Sequence, residues 1–361
     1  MRKNLFATTP GIIIVGAVIG LIAVWLQKLG NPANMGICVA CFERDVAGGL
    51  GLHRAAIVQY LRPEIMGLVL GSLAAAIATR ELKPRGGCGP IVRFVLGMIA
   101  AMGALVFLGC PWRAILRLAG GDGNAILGLA GLATGIWFGT LFFKKGYSLG
   151  RSNSQSVVSG ALFPVIAVCL LLLYLIFPQI PDQPQSGPLF YSVKGPGSQH
   201  APFIASLGLA FIIGIFAQRS RFCTMGAFRD LFLFRYTHLF LGLAAMFAAA
   251  FIANALTGGL KFGFEGQPVA HSDFLWNYLG MVTAGLAFAL AGGCPGRQLF
   301  MAGEGDSDAG IFALGMLVGA AMAHNLGTAS SGTGIGVYGM QATIIGFAVC
   351  LIIGFVHSKK A

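Results

Sequence analysis

Two stretches of this chain carry the same rare residues in the same register. The first has Cys38, Arg44, Asp45 and His53, then Gly109-Cys110-Pro111 with Arg113, then Gly121-Asp122. The second has Cys223, Arg229, Asp230 and His238, then Gly293-Cys294-Pro295 with Arg297, then Gly305-Asp306. The offset is 185 residues for the first group and 184 for the second. Internal symmetry of this kind is the mark of one structural unit built twice, and it is common in proteins that move solutes across membranes.

The rest of the chain says where such a unit would reside. Of 361 residues, 56% are hydrophobic and 10% charged, against roughly a quarter charged in a soluble domain. Runs such as 157–177 (VVSGALFPVIAVCLLLLYLIF) suit a crossing of about 20 residues. The 54 glycines fit tight helix packing in a bilayer. The net charge of +12 sits in short connections between apolar runs, so it reads as topology and not as a nucleic-acid surface. The eight Cys lie in or beside apolar segments and form no spaced extracellular framework, so free thiols are expected.

Ten spans are expected, near 10–28, 62–79, 91–109, 125–143, 157–177, 202–217, 237–256, 275–293, 309–325 and 340–356. The Pro- and Gly-rich stretch 179–199 joins two repeats, 1–178 and 200–361. Five spans in each half invert the second half relative to the first. With both termini cytoplasmic, sixteen of the 24 Lys and Arg residues fall inside, as the positive-inside rule asks. Lys359 and Lys360 are among them, as are Arg80, Lys83 and Arg85. The Cys-bearing segments fit poorly as ordinary loops. Four short re-entrant helix-loop-helix dips are expected, with Cys38 and Cys110 approaching from outside and Cys223 and Cys294 from inside. Non-helical backbone at that depth needs protein or a polar cavity around it. The expected fold is thus an all-α polytopic membrane protein of inverted five-span repeats.

Gly-Cys-Pro-x-Arg occurs twice. Pro suits the first turn of a helix, which places Cys110 and Cys294 at helix N-termini. The positive helix end attracts anions and activates thiols, and Arg113 or Arg297 adds charge one turn on. The pattern points to a small, soft anion. Arg44, Asp45, Arg229 and Asp230 are read as ion pairs holding the dips, since an unpaired charge at that depth is costly. His53 and His238 are read as matched helix starts. Cys38-x-x-Cys41 occurs only in the first half. It lacks further zinc ligands and the signature of c-type haem attachment, so no metal or cofactor is expected. Cys88, in Arg85-Gly86-Gly87-Cys88-Gly89-Pro90, is read as an exposed turn thiol available for cytoplasmic handover, or else as an incidental turn residue. Cys169 and Cys350 are read as packing residues. Glu64 is read as the sole acidic residue near a span. Asn31-Pro32-Ala33 lacks the second copy that a water channel needs.

GICVACFERD, GGCGP, GCPWR and GGCPGRQ resemble the YeeE/YedE family of inner-membrane sulfur-compound transporters, most closely its branch associated with selenium metabolism. The likeness spans almost the whole chain. It implies a helical bundle of two pseudo-symmetric halves in which Cys residues on the dips pass the substrate along a central line. That role would fall on Cys110 and Cys294, then Cys223 and Cys38, with Cys41 alongside. A small cytoplasmic carrier of the TusA/SirA type is implied as the acceptor. The extra thiols, Cys41 and Cys88, lead to the expectation of selenium import. Thiosulfate or another sulfur compound is the alternative, and a membrane thiol oxidoreductase using Cys38 and Cys41 is the second.

Overall fold

The computed structural model describes residues 5–359; Lys360 and the rest of the termini lie outside them. The fold is helical, with only two-residue strands besides. Ten long helices match the ten expected spans to within three residues at each end. They are α1 (Thr9–Lys28), α3 (Pro63–Ala78), α4 (Pro90–Phe107), α6 (Asn124–Lys144), α7 (Val157–Ile176), α8 (Phe203–Ser220), α10 (His238–Leu256), α11 (Phe274–Ala291), α13 (Ser307–Asn325) and α14 (Gly339–Val356). Among the described residues, nine helical stretches are long and apolar enough to cross a membrane, and α3 is a shorter apolar helix. The chain is a polytopic all-α membrane protein.

Four short helices lie between these. They are α2 (Val39–Gly49), α5 (Pro111–Ala119), α9 (Thr224–Phe234) and α12 (Pro295–Gly303). Each begins immediately after a matched Cys. Pro at N1 starts α5 and α12, where its missing N–H costs nothing. The helices before them end at matched positions, with Leu108 and Gly292 both left-handed (φ 63° and 84°). Gly121 and Gly305 then turn the chain out of α5 and α12 with φ of 95° and 94°. Leu in that conformation is strained by roughly 1–2 kcal/mol, which its matched Gly avoids.

The two halves interlock reciprocally. Helix α1 runs along α10 and α3 along α8; α4 runs along α13 and α6 along α11. In each of these pairs the partners run parallel. Gly16 meets Gly242 and Gly20 meets Met246; Gly67 meets Leu207 and Gly71 meets Phe211. The glycines permit this closeness. A methyl group at Gly71 would strike the Phe211 carbonyl, and one at Gly315 would strike that of Phe94. Small residues of this kind are how membrane helices approach without a hydrophobic drive between them.

The loops repeat the exchange. After α3, the Lys83 and Arg85 amides donate to the Glu304 and Gly305 carbonyls at 3.1 and 3.2 Å. After α10, the Lys261 and Gly263 amides donate to the Gly120 and Gly121 carbonyls at 2.8 and 3.1 Å. Gly120 and Gly121 are 184 residues before Glu304 and Gly305. Each half therefore holds the end of the other half's short helix. The stretch 179–199 is not a slack tether. Gln59 and Ser192 exchange two bonds of 2.8 Å, and Arg62 donates to the Gln199 and Pro196 carbonyls at 2.9 and 2.8 Å.

Candidate functional site: two thiol clusters at paired helix N-termini

The four matched Cys are the N-caps of the four short helices. Ser, Thr, Asp or Asn is the usual cap; here the sulfurs of Cys38 and Cys223 take that place, while Cys110 and Cys294 make no side-chain cap bond. Cys38 Sγ accepts the Cys41 amide at 3.4 Å and the Cys110 amide at 3.5 Å. Cys223 Sγ accepts the Gly226 amide at 3.3 Å and lies in hydrogen-bonding contact with the Cys294 thiol and amide. The arrangement is the same twice. In each half two helix N-termini converge on two thiols, α2 with α5 and α9 with α12. Cys41 joins the first cluster as a third thiol, in contact with Cys38. All five thiols are buried, at 0–6% exposure.

The arginines of the two clusters differ. Arg113 is fully buried. Its guanidinium reaches Cys41 Sγ at 3.6 Å, the Asn34 carbonyl at 3.3 Å, the Pro268 and Val269 carbonyls at 3.3 and 3.1 Å, and the Leu108 carbonyl. Among the described residues no carboxylate pairs with it. Arg297 has Glu304 at 3.5 Å, and that carboxylate also pairs with Arg221 at 2.6 Å and Arg85 at 3.6 Å. The first cluster thus keeps a positive charge with no carboxylate partner beside its thiols, while in the second Arg297 has one, shared with Arg221 and Arg85. A buried charge without a counterion is expensive, and an incoming anion would relieve it.

The expected ion pairs are present. Arg44 and Arg62 both hold Asp45 at 2.7 Å, all three buried, and Arg229 holds Asp230 at 2.8 Å. Several expectations need correction. His53 does not start a helix. It is buried between α2 and α3, lies 3.0 Å from the Arg44 carbonyl and stacks on His324. Only His238 begins a helix. Cys88 is not exposed. The pairing of β1 (Arg85–Gly86) with β2 (Asn153–Ser154) folds its turn inward, leaving it 6% exposed with Sγ donating to the Gly150 carbonyl at 3.1 Å. Cys350 is a packing residue, but Cys169 is exposed on the outer face of α7. Glu64 is not alone either. Glu43, Asp45, Asp122, Glu304 and Asp308 are buried as well. Glu43 and Asp45 lie on α2, Asp122 and Glu304 just after α5 and α12, and Asp308 in the first turn of α13.

Trp112 went unremarked in the sequence, although it marks the one break in the repeated motif: its counterpart in the second half is Gly296. It is 1% exposed, and its ring packs on Phe222 and Phe300 at centroid distances of 5.8 and 5.9 Å. Its Cζ2 and Cε2 atoms would lie 3.1 and 3.3 Å from a Cβ on Gly296.

Residues 219–354 match the family described as "Sulphur transport". A stretch of 106 residues, 29% of this chain and 32% of the relative, is 32% identical to a protein named thiosulfate transporter TsuA of Spirochaeta thermophila. A longer alignment, 71% of this chain and 62% of the relative, is 25% identical to "Probable transporter YedE" of Escherichia coli (strain K12). The chain thus spans about a third and about three fifths of the lengths of these relatives. The matched residues include Cys223, Cys294 and Arg297, the whole second thiol cluster. On these matches and the helical membrane fold, the chain is similar to the YeeE/YedE sulphur transport proteins, most directly over residues 219–354.

Proposed function

We propose that the protein carries a small, soft sulfur anion of the thiosulfate class across the inner membrane, inward, along the line Cys110 and Cys38 to Cys294 and Cys223. One observation carries this reading: two helix N-termini converge on each thiol pair, with a guanidinium on each short helix, Arg113 fully buried and Arg297 14% exposed. Helix N-termini favour anions. Thiols are weak hydrogen-bond donors and polarizable neighbours, suited to a terminal sulfur and poorly suited to a hard oxyanion such as sulfate. Several weak sites in series permit both binding and release, as conduction requires.

The reciprocal helix pairs and loop clamps support inverted repeats, with the short helices as dips that meet near the middle of the bilayer. The Lys and Arg distribution supports cytoplasmic termini. On that topology the Arg113 cluster faces outside and captures the anion, and the cluster whose arginine has a carboxylate partner faces inside and releases it. A TusA/SirA-type carrier would then accept it. Selenium has no separate support in the geometry, because selenium and sulfur anions are both soft and no residue distinguishes them. The relative named for its substrate carries thiosulfate, so the sulfur reading replaces the selenium one. A dithiol oxidoreductase would need Cys38 or Cys41 to meet a partner thiol, and both are fully buried.

The test is uptake of radiolabelled thiosulfate by cells that lack their own sulfur importers and express this chain. Uptake above the empty vector, competed by thiosulfate and not by sulfate, is the expected result. Stronger competition by selenite would restore the selenium reading. No uptake, with the protein present in the membrane, would sink transport of this class.

A further inference from the structure

Trp112 is attached to one thiol cluster and packed against the other. It follows Cys110-Pro111 at the start of α5, and its ring touches Phe222, next to Cys223, and Gly296, two residues after Cys294. The six-membered ring of the indole faces Gly296, with Cζ2, Cε2 and Cη2 nearest; Nε1 is bonded to Cε2. Its N–H is buried and has no hydrogen-bond partner. An orphaned buried donor is costly, and it calls for an explanation. Gly296 leaves room for the ring, and the repeat has Trp in one copy only, so a single indole reaches from the helix of the first cluster to that of the second.

We propose that Trp112 is the barrier and the selectivity element of the route: its ring separates the two thiol clusters, and its N–H is the donor that carries the anion from one to the other. The inference rests on the thiol line being a transport path. A partly desolvated anion leaving Cys110 meets the indole N–H before it reaches the amides at the start of α12. The ring's apolar flanks of Phe222 and Phe300 exclude water and strongly hydrated anions. The ligand class follows from the three surfaces met in turn: thiols, one N–H, thiols. A small anion with one soft end and one hydrogen-bond-accepting end fits that order.

The experiment is labelled-thiosulfate uptake into proteoliposomes containing purified wild type, Trp112→Phe or Trp112→Ala, with and without excess sulfate. Trp112→Phe keeps a ring and removes the N–H. It should slow uptake about tenfold, the equivalent of one hydrogen bond of ~1.4 kcal/mol, with sulfate still unable to compete. Trp112→Ala opens the barrier, and sulfate should then compete. Wild-type rates in Trp112→Phe, or an unchanged exclusion of sulfate in Trp112→Ala, would overturn the proposal while leaving the transport reading intact. Wild-type liposomes that take up nothing would instead be a failure of the transport reading. Should the variants not fold, a protein with Trp25, Trp137 and Trp276 replaced by Phe reports on Trp112 alone. An emission change on adding thiosulfate, absent with sulfate, supports the contact, and no change refutes it.

Discussion

Replacing Arg113 with Gln removes the only buried guanidinium in the two thiol clusters that has no carboxylate partner. Its Nη1 is 3.6 Å from Cys41 Sγ, so an anion resting on the first cluster would lie about 5 Å from the charge. At an effective dielectric of about 20, that attraction amounts to ~3 kcal/mol, or roughly a hundredfold in Kd. Arg297→Gln removes a charge that Glu304 already offsets at 3.5 Å, so its effect should stay below about tenfold. Equilibrium binding of labelled thiosulfate to detergent-purified protein compares the two. Arg113→Lys retains the charge and should recover most of the affinity. A thermal melt of each variant separates lost binding from lost structure, because Arg113 also satisfies four backbone carbonyls. Equal losses in Arg113→Gln and Arg297→Gln, or no loss in the first, would refute the electrostatic asymmetry.

Asp45 is held by two buried arginines. Asp45→Asn leaves both without a counter-charge and should destabilise the fold by about 3–5 kcal/mol, seen as a large drop in Tm. Asp230→Asn, at a site 16% exposed with a partner 37% exposed, should have little effect. Glu81, in the loop after α3, is pushed up by partial burial but pulled further down by Arg219, Gln218 and Arg221, ending below the ordinary carboxylate range. Its folded pKa is depressed, so its contribution is present above the unfolded value near 4.5 and is lost as pH falls through the folded value. Glu81→Gln should therefore lower Tm at pH 7 and match wild type near pH 3; a pH-independent difference would contradict the assignment.

Much of this architecture was legible in the sequence because bilayer spans announce themselves by length and apolarity. The short helices were legible for a different reason: Cys-Pro and Cys at a matched offset both mark a cap. What the sequence did not reveal is what crosses between segments far apart in the chain. Arg62 completing the Asp45 pair, Glu304 gathering Arg85, Arg221 and Arg297, and Lys83 and Lys261 clamping the opposite half all depend on the reciprocal docking of the halves. Cys88 looked exposed because glycines flank it, but a strand pairing with residues 153–154 turns it inward. Trp112 is legible in the repeat itself. Aligning GCPWR with GCPGR shows one bulky residue where the other copy has none, and the structure packs the one against the other.

The central claim is that one anion route passes through both thiol clusters. Its most direct test is labelled-thiosulfate uptake into proteoliposomes containing wild type, Cys110→Ala or Cys294→Ala, with folding checked by size-exclusion elution. On the proposed route, which takes the two thiols in series, each substitution should lower uptake at least tenfold. Transport at the wild-type rate with either thiol removed would contradict a route that uses both.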